Sequence, residues 1–166
     1  MSPLTSRAPG LVGAALERPE LVSGIIVDGH HVSPATLRIA LACKAAQSLM
    51  LVTDAMPSVG SESESFILQG QQIFVREGAC MNADGTLAGS NLDMASAVRN
   101  AVEMLGAPLE TALEMASRTP AAFLRLEGTY GRVAPGYRAD LVALDQEYRV
   151  ANSWVGGSTV PYPARV

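Results

Sequence analysis

The chain has 166 residues, of which 48% are apolar and only 17% charged. That is about one domain's worth of sequence with ample core material, and it excludes a disordered chain, which combines low hydrophobicity with high net charge. A net charge of −4 without a basic stripe excludes a nucleic-acid partner held by phosphate attraction, and no apolar stretch approaches the roughly 20 residues of a membrane span.

Taken in chain order, residues 1–10 read as a Pro/Gly loop and 11–16 as a short helix. No signal-peptide core is visible in residues 1–20. Residues 21–27 (LVSGIIV) form an apolar run that suits a strand covered on both faces. Ser33-Pro34 is a helix start, with serine as cap and proline at the first helical position. The helix is predicted over 34–46, with Leu37, Ala40, Leu41 and Lys44 along one side. Leu49 to Val52 is a second apolar strand ending in Thr53-Asp54. Residues 21–54 therefore spell strand–helix–strand, a βαβ unit.

After Pro57 the pattern changes. FILQ (66–69) and QIFV (72–75) read as a hairpin, and NADG (82–85) as a turn. Ser90 or Asn91 is expected to cap a helix over 92–105, ended by Gly106. Further helices are expected from Pro108 to Ser117 and from Thr119, then strands over 139–145 and 148–157. Met94, Met104 and Met115 are expected in the core. Cys43 and Cys80, outside any CxxC pair, are expected to be buried reduced thiols, which fits a cytoplasmic protein. A two-strand parallel sheet leaves both edges unpaired, so the chain is expected to be part of something larger or to assemble with another chain.

Asp54 is the first candidate for chemistry. It lies just beyond a buried parallel strand, where α/β folds and β/α barrels place their sites, and a carboxylate there can act as a base or a metal ligand. A plain loop or capping aspartate is the alternative. His30 and His31 follow the other strand; adjacent residues on an extended chain diverge, so at most one is expected at a shared site. The pair matches no zinc spacing. Arg7 in SRAPG has the planar fork that suits a phosphate, though most loop arginines are simply solvated. The run Gly85–Ser90 can offer backbone amides to an anion, but it matches neither a P-loop nor a dinucleotide fingerprint.

DGHHV (28–32), LVTDAM (51–56), DGTLAGSNLDMASAVRNAV (84–102), ALEMASRTPAAFL (112–124) and GRVAPGYRADLVALD (131–145) together resemble the N-acetylglucosamine-6-phosphate deacetylases of the amidohydrolase superfamily. The resemblance implies an α/β fold: the C-terminal part of a (β/α)8 barrel plus part of a small β-sandwich. It implies that residues 1–56 hold the last two β/α units, that 57–130 hold the hairpin and helices packed on the barrel, and that 131–166 hold sandwich strands. The hairpin strands are expected in the sandwich too.

The implied reaction is metal-dependent hydrolysis of the acetamide of N-acetylglucosamine 6-phosphate to glucosamine 6-phosphate and acetate. Asp54 matches the family's catalytic aspartate. Asp28, Gly29, His30 and His31 match its substrate-binding DGxH segment, with His31 the contacting histidine and His30 in the variable position. Leu87, Ala88 and Gly89 match a segment lining the sugar site. Arg7 matches the arginine that reaches the phosphate, although Ser6 stands where glycine is usual. In a homodimer Arg7 and His31 are expected to complete the partner's site.

The family's ligands for its divalent metal, zinc or similar, are a glutamate and two histidines on earlier strands. No metal ligand is expected in this chain, and little activity is expected of it alone. The alternatives are a non-catalytic phosphosugar-binding or interaction protein, or another amidohydrolase such as a dihydroorotase-like enzyme.

Overall fold

The computed structural model describes residue 2 and residues 4–161. The chain opens with helix α1 (Gly10–Glu17), followed by strand β1 (Ser23–Ile25), helix α2 (Pro34–Cys43), a 3-10 turn (Ala46–Ser48) and strand β2 (Leu49–Leu51). β1 and β2 pair in parallel, Ser23 opposite Leu49 and Ile25 opposite Leu51. This is the predicted βαβ unit, with shorter strands and a helix that stops at Cys43. Ser33 caps α2 by accepting from the Ala35 amide, and Pro34 opens it.

The core forms on the parallel pair. Ile25, Val27, Leu49 and Leu51 are buried against Leu37 of α2 and against two later helices, α3 (Met94–Glu103) and α4 (Leu109–Ala116). Small residues on those helices, Ala97, Ala101 and Ala112, allow close approach, and Met115 fills the remaining space. Asp93, rather than Ser90 or Asn91, caps α3 by accepting from the amide and hydroxyl of Ser96. A short helix α5 (Arg118–Phe123) follows, tied to the 3-10 turn by Thr119 Oγ1 donating to the Ala46 carbonyl.

Lys44, expected within the helix, instead follows it in extended backbone; it is buried, and its charge is accommodated. Its Nζ donates to the carbonyls of Ala15 and Arg18 at 2.9 and 2.8 Å, joining α2 to the C-terminal end of α1. Cys43, in contrast, is exposed because α2 ends there, while Cys80 is buried. Met94, expected in the core, is instead 38% exposed, one residue beyond the cap of α3.

Between β2 and α3 lies a four-stranded antiparallel sheet in the order β3 (Ser65–Leu68), β4 (Gln71–Arg76), β5 (Ala79–Met81) and β6 (Leu87–Ser90). The predicted hairpin is β3–β4. β5 and β6 are additional strands: the small-residue run before α3 is strand, not a helix-opening loop. A parallel bridge between Ala55 and Ser90 attaches this sheet to the segment beyond β2. The remaining strands, β7 (Leu141–Leu144), β8 (Val150–Val155) and β9 (Ser158–Thr159), form a separate antiparallel sheet, so among the described residues the hairpin and the C-terminal strands share no sheet. Among the described residues no helix is long and apolar enough to cross a membrane.

Candidate active site

The two parallel strands deliver their following residues to one place. Val27, fully buried, ends the apolar run of the first, and its carbonyl accepts from Asn100 Nδ2 of α3 at 2.7 Å. The chain then turns through Asp28–His31. Asp28 organises that turn: Oδ1 accepts from the amides of His30 and His31, both at 2.9 Å, and Oδ2 lies 2.6 Å from His31 Nδ1. Burial works against ionisation of Asp28. The hydrogen bonds from His31 and His30, together with the charge of His31, outweigh it and hold the carboxyl below its ordinary value.

With Nδ1 committed to Asp28, His31 presents Nε2 outward, 3.5 Å from Asp54 Oδ2. The three side chains grade from closed to open: Asp28 is 3% exposed, His31 17% and Asp54 50%. A carboxylate-anchored imidazole beside an open carboxylate is an arrangement that can hold and pass a proton. His31 meets the Asp54 of its own chain, a contact beyond the expected role of completing a partner's site.

His30 takes a different partner. Its Nε2 donates to the Glu77 carbonyl at 2.8 Å, pinning the loop to the β4–β5 turn. Gly29 has φ +80, and a Cβ there meets the Met104 methyl at 3.3 Å, so the tight turn after Asp28 favours glycine.

Asp54 has φ 51, left-handed backbone that costs a non-glycine residue about 1 kcal/mol. Strand β6 lies against it. Gly89, at φ +107, has no room for a side chain: a Cβ would sit 2.5 Å from the Met56 methyl and 3.1 Å from the Asp54 carbonyl oxygen. Leu87 and Ala88 precede it on the same strand. The LAGS segment is thus brought directly against the Asp54 turn, by main-chain pairing that sequence reasoning did not foresee. Arg7 lies on an exposed bend before α1, and no contact among the described residues joins it to this cluster.

Asp54 and His31 are donors a metal can use, but a hydrolytic zinc takes three protein ligands. Among the described residues no group of three or more His, Cys, Asp or Glu is arranged to hold a metal ion. The residues present do not by themselves fit one.

The chain is similar to known proteins over nearly its whole length. It is 46% identical over 158 residues to the N-acetylgalactosamine-6-phosphate deacetylase of Shewanella sp. (strain ANA-3), a match covering 95% of this chain and 40% of that protein. It is 38% identical to the putative N-acetylgalactosamine-6-phosphate deacetylase of Escherichia coli (strain K12), covering 98% of this chain and 96% of that one. Among solved structures, N-acetylglucosamine-6-phosphate deacetylase from Pasteurella multocida superimposes with a TM-score of 0.90 at 34% identity, covering 95% of this chain and 41% of that chain. The chain therefore spans about two-fifths of the Shewanella and Pasteurella proteins. The model of the amidohydrolase family matches residues 9–160. With that span and these relatives, the chain belongs to the amidohydrolase family.

Proposed function

We propose that this chain supplies one part of the active site of an enzyme that hydrolyses the acetamide of an N-acetylhexosamine 6-phosphate, giving the hexosamine 6-phosphate and acetate. The observation that carries the reading is the meeting of Asp54 with the Asp28-anchored His31 and with the LAGS strand. Asp54 takes a proton from the attacking water as its oxygen bonds to the acetamide carbon. It returns that proton to the nitrogen as the carbon–nitrogen bond breaks, so the amine leaves neutral and the carboxylate is regenerated. His31 and the 28–31 loop, with Leu87–Gly89, hold the sugar beside Asp54. Arg7 reaches the phosphate across a homodimer.

The family's divalent metal supplies carbonyl polarisation and water activation when bound. No ligand set for it is assigned to this chain. The two parallel strands are read as the last two of a (β/α)8 barrel and the C-terminal sheet as part of a β-sandwich, supported by the superposition on the Pasteurella enzyme. Two unpaired cysteines suit a cytoplasmic location. The higher identity to the Shewanella galactosamine relative than to the Pasteurella glucosamine one favours the galacto epimer as substrate.

The test is acetate release from both N-acetylhexosamine 6-phosphates, with and without zinc. It is run on the chain alone and on the chain joined to the remaining three-fifths, roughly, of the Shewanella protein. The chain alone is expected to be inactive and the joined protein active, faster on the galacto epimer. A joined protein that binds the phosphosugar and never releases acetate, while the intact Shewanella protein does, supports the non-catalytic reading instead.

A further inference from the structure

Ser90 sits at the crossing of β6 and the Asp54 turn, fully buried. Its groups are committed to that turn. The Ser90 amide donates to the Asp54 carbonyl at 2.9 Å, and the Ser90 carbonyl accepts from the Met56 amide at 3.0 Å. Its hydroxyl donates to the Thr53 carbonyl and accepts from the Leu92 amide. Main-chain bonds of this kind survive most substitutions. The hydroxyl is what links the residue before Asp54 to the segment leading into α3, and without it a part-buried carbonyl and a buried amide lose their partner. The turn needs such a hold, because Asp54 keeps a left-handed backbone that relaxes when its neighbours are released.

We propose that Ser90 is a positioning residue for Asp54: its hydroxyl fixes the Thr53–Asp54 turn so that the Asp54 carboxylate stays within reach of His31 Nε2. The proposal rests on the reading of Asp54 and His31 as working partners. Ser90 touches no reacting atom and acts through the turn alone.

The test reads that contact directly, without turnover. In long-range nitrogen–proton NMR spectra of the chain, Nε2 of His31 reports its contact with Asp54, and Nδ1 its contact with Asp28. Asp54→Asn sets the size of the Nε2 shift when the carboxylate contact is lost. Ser90→Ala is expected to move Nε2 by at least half that amount while leaving Nδ1 in place. Ser90→Cys, a weaker donor of similar size, is expected to give a smaller displacement in the same direction; it carries the test if the alanine variant does not fold. A Ser90 variant that lowers the melting temperature but leaves Nε2 unmoved overturns the proposal, since the hydroxyl then serves stability only. If Asp54→Asn itself leaves Nε2 unmoved, the His31–Asp54 pairing fails and the proposal falls with it. The two failures are therefore distinguishable.

Discussion

Replacing Asp28 by alanine tests the foundation of the site. The carboxylate accepts three hydrogen bonds: two from amides at 2.9 Å and one from the His31 ring at 2.6 Å. His30 is exposed, so its amide regains a water partner in the variant. The His31 amide and ring are part-buried and do not regain one fully. Hydrogen bonds to a charged group contribute about 1.5 kcal/mol or more each, so Asp28→Ala is expected to cost about 3 kcal/mol at pH 7. For a chain of this size that lowers the melting temperature by about 6–12 °C.

The pH dependence has a definite sign. The Asp28 carboxyl is held below its ordinary value of 3.8, so the stability it contributes is fully present above that value. It is lost as pH falls through the lower folded-state value. Urea unfolding of both proteins at pH 7 and at successively lower pH checks this. The gap between them is expected to narrow only below about pH 4. A variant within about 0.5 kcal/mol of the parent at pH 7, or a gap that widens on acidification, refutes the reasoning.

Three further outcomes follow from the same contacts. Lys44→Met removes the donor for the Ala15 and Arg18 carbonyls and is expected to cost about 2 kcal/mol; hydrogen exchange is expected to rise first in α1, none of whose residues is buried. Leu49→Ala empties a fully buried position on β2 and is expected to cost about 3 kcal/mol by chemical denaturation. Gly89→Ala forces a Cβ against Met56 and the Asp54 carbonyl at a φ that alanine resists. It is expected to cost about 2 kcal/mol and to shift the amide signals of residues 53–56, whereas a neutral result contradicts the close packing of β6 on the Asp54 turn.

The convergence of Asp54 and His31 was legible because both follow apolar runs that pair as parallel strands, and parallel neighbours end on the same side. The separation of His30 from His31 has a different cause from the alternation expected of an extended chain: residues 28–31 form a turn, and His30 is drawn to the Glu77 carbonyl. Strands β5 and β6 were not legible. Ala79–Met81 is three residues long, and Leu87–Ser90 contains a glycine at φ +107, so neither carries an alternating pattern long enough to register. Their existence depends on pairing with β4 and on the bridge from Ala55 to Ser90, which no local composition announces. Asp93 caps α3 in place of Ser90 because Ser90 ends strand β6, where its hydroxyl accepts from the Leu92 amide, and the helix starts only at Met94.

The most direct test of the central claim, that Asp54 moves the proton in amide hydrolysis, is the rate of acetate release by the joined protein carrying Asp54→Asn, beside its parent. Amide hydrolysis without its proton-transfer group is expected to slow by about 100-fold or more, with the phosphosugar still bound. Turnover by the Asp54→Asn protein at the parent rate would contradict the account.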